Sequence, residues 1–284
     1  MLFHRLCILI LLVLAPAAHA TRAIPDDNLA YPVLITLKSG GTGSGFFLHA
    51  KKFMYLVTAK HVLIDIPKNT LLSDEASLVS YSNDPKDATP NRIALNLKAL
   101  HSAGQLIKHP NRDIVIVRLA KIVRGKDIMQ LQYIDGVEAK SSSQGGTVGV
   151  SLGILKKFDD VLVANEVIVF GYPVSLGLKN HPQLDYERPL LRKGIVAGLN
   201  FSQRSIVLDC SSFPGNSGSP VLEVEEEGIG SRKFRIIGVI SEFVPSEEIW
   251  TNTKYNYSNS TILNSGYSIA TPIDFVLELL GDDG

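Results

Sequence analysis

Residues 213–221 form a segment that could carry a nucleophilic serine. Ser217 stands between Asn216 and Gly218, and Gly215 lies two residues before it. A serine hydroxyl is a weak nucleophile, so an active serine needs an exposed tight turn and a neighbouring base. Flanking glycines let the backbone bend sharply, and the N–H groups of Gly215 and Ser217 could then converge on an oxyanion. A plain glycine- and serine-rich loop between two strands explains the same residues equally well.

His61 is the candidate base for such a serine. It follows the apolar segment 55–59, so its imidazole stands where a predicted strand ends and can face a cleft. The alternative is a structural histidine, the commoner state of a histidine considered alone. No histidine after residue 20 has the spacing of a metal-ligand pair, so we expect neither a metal site nor a cofactor.

Asp113 is the candidate partner of His61. It directly precedes the largely apolar run 114–119, which predicts a buried strand. A carboxylate at that position is unfavourable to bury unless it is hydrogen-bonded. An imidazole N–H would satisfy it, and the carboxylate would in turn fix the tautomer and stabilise the imidazolium. The alternative is an aspartate that only caps the strand.

Short strands are the elements expected to position these residues. The predicted strands are rich in Val, Ile, Leu and Phe, are separated by turn residues, and cover 31–37, 45–49, 54–58, 114–119, 161–163, 167–170, 206–209, 220–224 and 234–240. Many short strands with frequent turns predict an all-β barrel or sandwich. A helix is expected over 271–281, and a short one after His61. We place an interdomain connection within 120–146.

Composition sets outer limits on function. The chain has 284 residues, 45% of them apolar and 20% charged, with 28 basic and 28 acidic residues. Zero net charge without a basic stripe argues against nucleic-acid binding. The length fits one large all-β unit or two smaller domains.

Residues 1–20 have the pattern of a secretory signal peptide. Positive charge over 1–5 is followed by an apolar run over 6–15 and by Ala18-His19-Ala20. The apolar run is short for a bilayer span, so we expect cleavage after Ala20, export to the periplasm or the outside, and no membrane association afterwards. A buried N-terminal helix or a retained anchor is the alternative.

Cysteine usage agrees with a fold without disulfides. Cys7 would leave with the signal peptide, and the single remaining Cys210 cannot form an internal disulfide. We expect Cys210 to be a buried strand residue rather than a reactive thiol.

The three candidate residues occur in the order His61, Asp113, Ser217, which is the order of the chymotrypsin-like fold; lipases and subtilisins use other orders. The sequence resembles the trypsin/chymotrypsin-like serine peptidases, most closely the bacterial HtrA-like branch, over nearly all of residues 30–278. The resemblance is carried by Gly43-Ser44-Gly45-Phe46, Thr58-Ala59-Lys60-His61, residues 112–119 and residues 215–221, and more weakly by Gly171-Tyr172-Pro173 and residues 237–241.

This resemblance implies two six-stranded antiparallel β-barrels, over 25–135 and 145–275, with a short C-terminal helix and an active site in the cleft between the barrels. It implies that Ser217 is the nucleophile, His61 the general base and Asp113 its orienting carboxylate. The oxyanion hole would be formed by the N–H groups of Gly215 and Ser217. Protein or peptide substrates would pair as an added strand along Ser241, Glu242 and Phe243.

Several residues depart from the family pattern. Asn216 replaces an aspartate that pairs with a freshly cut N-terminus in digestive enzymes, so we expect either activity without propeptide cleavage or switching by the ordering of a loop. Ser211, at the base of the specificity pocket, offers no charge to Lys or Arg, and Phe243 should shrink the pocket. We therefore expect small or medium apolar residues before the cut. A PDZ domain is not expected, and the sequence specifies no oligomeric state.

Two functional hypotheses remain open on the sequence. The first is an endopeptidase that works through an acyl-enzyme. The second is a protease-like binding or regulatory module with a latent site, which is suggested by the unusual pocket residues and by the insertion at 247–265. An esterase of the α/β-hydrolase kind fits badly, because Ser219 breaks the Gly-x-Ser-x-Gly pattern and strands do not alternate with helices.

Overall fold

The computed structural model describes residues 23–124, 129–172, 181–228 and 230–284. The expected signal peptide over 1–20 and Pro173 lie outside these ranges. Within them, no helix combines the length and the apolar character needed to cross a bilayer.

The N-terminal unit is a curled ten-stranded sheet. Six strands, in the order β9-β3-β2-β1-β6-β7, form its centre, β10 and β11 flank them, β8 pairs with β9, and β12 pairs in parallel with β2. β4 and β5 form a separate hairpin. The strands are β1 Pro32–Leu37, β2 Thr42–His49, β3 Phe53–Thr58, β4 Ile64–Asp65, β5 Thr70–Leu71, β6 Glu75–Ser80, β7 Asn91–Asn96, β8 Leu106–Lys108, β9 Val115–Arg124, β10 Met129–Tyr133, β11 Val137–Ser141 and β12 Val150–Ser151.

The C-terminal unit is a closed barrel in the order β13-β14-β15-β18-β17-β16. Every neighbouring pair in it is antiparallel. The strands are β13 Glu166–Gly171, β14 Leu190–Asn200, β15 Ser205–Asp209, β16 Pro220–Glu226, β17 Arg232–Asn252 and β18 Tyr257–Pro272. The far parts of β17 and β18 pair with each other well beyond the barrel, and residues 245–264 are called the hairpin arm below.

In the described ranges, helices are few and short. They are α1 Asp26–Leu29, α2 Lys60–Leu63, α3 Leu97–Ser102 and α4 Asp274–Leu280, with 3-10 turns at Leu152–Ile154, Phe158–Asp160 and Gly281–Asp283. The C-terminal helix ends at Gly281, which has a φ of 53°. Glycine adopts this left-handed conformation without a Cβ penalty, which explains the end of α4 at this residue.

A shared core holds the two units together. Phe46 and Ile116 from the first sheet pack in one cluster with Phe170 and Leu222 from the barrel and Phe275 from α4. Successive side chains of a strand face opposite sides, so Phe47 points instead into a second core inside the first sheet. Both faces of β2 are therefore buried. The units meet across packed apolar surface, which keeps the residues contributed by each in a defined relation.

The structure confirms the predicted fold class: the chain is mostly β, with two curled antiparallel sheets and a short C-terminal helix. The N-terminal sheet has more strands than the six expected, because β8, β10, β11 and β12 are added to the central six. β10 and β11 lie in the stretch assigned to an interdomain connection. Residues 161–163 form no strand; Val161 is buried there, whereas Leu162 and Val163 are exposed.

Cys210 follows the last residue of β15 and is buried as a free thiol. Burial raises the pKa of this thiol above its usual value, because a thiolate is poorly solvated in apolar surroundings. We expect slow alkylation of Cys210 by iodoacetamide in the native protein at pH 8 and rapid alkylation after denaturation. Peptide mapping by mass spectrometry measures both rates at this residue, and equal rates would contradict the burial.

Candidate active site

The pairing of β3 with β9 brings His61 and Asp113 together. Thr58, the last residue of β3, is opposite Val115, the first residue of β9. Because the strands are antiparallel, the chain just after Thr58 and the chain just before Val115 lie side by side. His61 is in the first turn of α2, which starts two residues after β3. This one strand pair therefore brings together two residues that are 52 positions apart in the sequence.

Two hydrogen bonds join His61 to Asp113. The distance from His61 Nδ1 to Asp113 Oδ2 is 2.6 Å, and the backbone N–H of His61 donates to Asp113 Oδ1 at 2.9 Å. A carboxylate accepts both bonds only if Nδ1 carries a proton, which leaves Nε2 free to accept one. The side chains are partly exposed, 40% for His61 and 28% for Asp113. The pair thus presents a potential proton acceptor to solvent.

Ser217 lies just after a tight turn. The N–H of Asn216 donates to the carbonyl of Phe213 at 2.9 Å, with Pro214 and Gly215 between them. Gly215 has a φ of 95°, and a proline followed by a residue of positive φ is the pattern of a type II turn. Among the residues that the structure describes, no hydrogen bond uses the N–H of Gly215 or of Ser217. Within the described ranges, both N–H groups are thus without an acceptor.

Ser44, in β2 of the first sheet, holds this turn from the other unit. Its hydroxyl donates to the carbonyl of Gly215 at 2.6 Å, and its backbone N–H donates to the carbonyl of Ser217 at 2.8 Å. Thr58 Oγ1 donates in turn to the carbonyl of Ser44 at 2.6 Å. Ser44 is fully buried. A continuous chain of contacts thus links the Ser217 turn to the strand that ends three residues before His61.

The close approach of these segments explains two glycines. A Cβ on Gly218 would lie 1.9 Å from the carbonyl oxygen of Ser44 and 2.2 Å from Thr58 Oγ1, and Gly218 has a φ of 92°. A Cβ on Gly171 would lie 2.4 Å from Nδ2 of the buried Asn216. Only glycine leaves room at both positions, so the turn is packed tightly on both sides.

The predicted substrate-binding residues fall into two groups. Ser241 and Glu242 line a cleft of about 700 Å³ together with His61 and Asp113. Ser211 and Phe243 are not among the lining residues of this cleft. Phe243 is 38% exposed in β17 opposite Ser268, and Ser211 Oγ faces Gly266, 3.9 Å from the position of a Cβ there.

Two backbone bonds place the Ser217 turn beside this part of β17. The N–H of Gly218 donates to the carbonyl of Ile240 at 2.8 Å, and the N–H of Ile240 donates to the carbonyl of Ser219 at 2.9 Å. Ser241, the next residue of β17, therefore lies immediately beside the turn that carries Ser217. The described part of the chain contains no group of three or more His, Cys, Asp or Glu side chains arranged to hold a metal ion.

Sequence reasoning did not assign a role to Ser44. The available signal was a serine between Gly43 and Gly45 in an otherwise apolar strand. A glycine inside a strand often marks a site where another backbone approaches closely. That signal predicts a contact, whereas the partner of the contact lies 171 residues away.

Several solved structures are similar to this chain. Deg5 is 18% identical, with 89% of this chain and 88% of that chain covered and a TM-score of 0.49. A serine endoprotease from Yersinia pestis is 13% identical, with 93% and 67% covered and a TM-score of 0.48. The HtrA-type protease AlgW is 17% identical, with a TM-score of 0.47, and 89% of this chain matches 60% of its length.

Comparison with curated proteins found no match. The model of the trypsin-like peptidase domain, in contrast, matches residues 43–230, from the glycine before Ser44 to the turn between β16 and β17. This range takes in His61, Asp113 and Ser217. Because the match covers well over half of the chain, the chain belongs to the trypsin-like peptidase domain family.

Proposed function

We propose that the protein is an exported serine endopeptidase with Ser217 as nucleophile, His61 as general base and Asp113 as the carboxylate that orients His61. The observation that carries the proposal is the pair of hydrogen bonds between Asp113 and His61, which leaves Nε2 of His61 as the proton acceptor. The proposal of export is supported by the signal-peptide pattern over residues 1–20.

The proposed reaction passes through an acyl-enzyme. Ser217 Oγ attacks the carbonyl carbon of the scissile peptide bond while His61 Nε2 takes the hydroxyl proton, and Asp113 stabilises the resulting imidazolium. The carbonyl oxygen becomes an oxyanion that accepts hydrogen bonds from the N–H groups of Gly215 and Ser217. His61 then gives the proton to the leaving amine. Water, activated by His61 in the same way, hydrolyses the ester and restores Ser217.

Protein or peptide substrates are proposed to bind along Ser241, Glu242 and Phe243 as an added strand. On the family pattern, Ser211 at the base of the specificity pocket offers no charge to Lys or Arg, and a phenylalanine at position 243 is expected to shrink the pocket. We therefore retain a preference for small or medium apolar residues before the cut.

A fluorophosphonate probe tests this proposal on the protein expressed from its full sequence. We expect intact-mass analysis to show one adduct on the wild type and none on Ser217→Ala, because only an activated serine reacts with the probe. The same spectrum shows whether residues 1–20 have been removed. A wild-type protein that is folded by circular dichroism yet forms no adduct would contradict the proposal and support the alternative of a binding module with a latent site.

A further inference from the structure

Among the described residues, one long edge of the strand β17 has no partner strand. β16 pairs with β17 only from Arg232 to Val239, and Ile240 is bonded to the Ser217 turn. From Ser241 to Asn252, the described residues provide partners for β17 only from β18, on its other edge. This open edge is about 40 Å long at a rise of roughly 3.3 Å per residue. Unpaired backbone N–H and C=O groups along a strand are a template for another extended chain.

The open edge begins at the proposed catalytic site. Its first three residues, 241–243, are those along which substrate is proposed to pair, and the same strand continues into the hairpin arm. The register shifts between Phe243 and Pro245, and Pro245 has no N–H to donate. The edge therefore consists of a short run beside Ser217 and a second run over residues 246–252. A substrate bound to the first run can continue onto the second without leaving β17.

The antiparallel order of the barrel gives this extension a direction. Every neighbouring strand pair in the barrel is antiparallel, and an added strand with the same geometry runs opposite to β17. β17 leads away from Ser217 as its numbering increases. The second run would consequently meet the part of a substrate that lies on the N-terminal side of the scissile bond.

The arm has the surface of a binding site. Ile249, Trp250 and Ile262 are each about two-thirds exposed, at 66%, 67% and 69%. The register places Ile249 and Ile262 on one face of the arm and Trp250 on the other. A two-stranded hairpin gains little stability by itself, and the exposed apolar side chains on both of its faces are available to a chain bound along its edge. The charges are unbalanced as well: between residues 241 and 264 the acidic residues are Glu242, Glu247 and Glu248, and the only basic one is Lys254.

We propose that the hairpin arm extends the substrate-binding edge of β17. The enzyme then favours unfolded polypeptides that carry basic and apolar residues roughly five to ten positions before the cut, because about one substrate residue pairs with each residue of β17. The acidic arm attracts the basic residues, and Trp250 and the two isoleucines supply apolar contact area. The inference rests on the proposed endopeptidase function.

Matched peptides test this inference. Four peptides contain the same short cleavable core. The first is the core alone, and the second adds an N-terminal extension of roughly ten residues rich in Lys and Leu. The third carries Glu in place of Lys in that extension, and the fourth has the Lys- and Leu-rich extension at its C-terminus. We expect the basic N-terminal extension to raise kcat/KM about tenfold through a lower KM, and the other two to give much smaller gains.

Variants assign the gain to the arm. In the triple variant Glu247→Lys, Glu248→Lys and Trp250→Ser, we expect the ratio of extended to short kcat/KM to fall to about one. The control Glu226→Lys with Glu227→Lys reverses two exposed acidic residues at the end of β16 and in the turn that follows, near the start of β17 and far from the arm, and should keep the wild-type ratio.

Three kinetic results, and one result on the oligomeric state, would overturn the inference. The kinetic results are a wild-type ratio near one, a gain that comes only from C-terminal extension, and a gain that survives in the triple variant. A wild type that is dimeric by light scattering and becomes monomeric in the triple variant would assign the arm to self-association instead. Cleavage of the short core in any of these cases would leave the proposed function standing.

Discussion

Replacing Asp113 by asparagine will lower kcat about ten-thousand-fold, the magnitude this substitution has in a serine-histidine-aspartate triad. The geometry gives the reason. The backbone N–H of His61 donates to Asp113 Oδ1, so an asparagine must keep its oxygen at that position and turn its NH₂ group toward His61 Nδ1. Nδ1 must then accept, the proton moves to Nε2, and His61 can no longer take the proton of Ser217.

Steady-state cleavage of a peptide substrate measures the effect, and thermal unfolding checks that the fold is intact. The matched control is Asp65→Asn, which changes an aspartate that forms an ion pair with Lys68 on the hairpin of β4 and β5. We expect the control to keep wild-type kinetics. An Asp113→Asn variant that is folded and within about tenfold of the wild-type kcat would show that Asp113 does not set the tautomer of His61.

Most of the strands that the sequence predicted are buried on both faces; β15, in which buried and more exposed residues alternate, is an exception. β2, β3 and β9 read as nearly continuous apolar runs, because their two faces contribute to two different cores. β14 was missed because most of its residues are at least partly exposed, and the pattern that remains is irregular. The outer part of β17 and the whole of β18 were missed because most of their residues are exposed and no core marks the hairpin arm. Periodicity records burial, and it weakens wherever a strand leaves the core.

The candidate site also has a part that could be predicted from the sequence and a part that could not. His61, Asp113 and Ser217 could be predicted because each lies at the end of a well-marked strand or in a turn rich in glycine. The hydrogen bonds of Ser44 could not be predicted, because they depend on how the first sheet packs against the barrel. Contacts between the two units depend on which of their residues pack together in the shared core, and a local sequence pattern carries no information about that packing.

Removing the hydroxyl of Ser44 is expected to lower kcat about a hundredfold, near the lower end of the range for losing one oxyanion-hole donor. In Ser44→Ala the backbone N–H still binds the carbonyl of Ser217, and only the bond from Oγ to the carbonyl of Gly215 is lost. A buried carbonyl left without a partner is unfavourable by about 1–3 kcal/mol. The peptide group that contains the Gly215 carbonyl is then held less firmly. A shift of this group also moves the adjoining N–H of Gly215 away from the oxyanion.

Because Ser44 contacts the turn and not the substrate, it acts as a positioning residue, and the test must separate positioning from folding. We expect KM to stay close to wild type, while the inhibition constant of a peptide aldehyde, which forms a tetrahedral adduct with Ser217, weakens by about the same factor as kcat. The control is Ser141→Ala, which removes a hydroxyl that donates to the carbonyl of Pro90 at 3.0 Å in the edge strand β11. Both variants should unfold at a lower temperature, but only Ser44→Ala should lose aldehyde affinity. A Ser44→Ala variant with a lowered unfolding temperature and a kcat within about twofold of wild type would show that the bond stabilises the fold without setting the oxyanion hole.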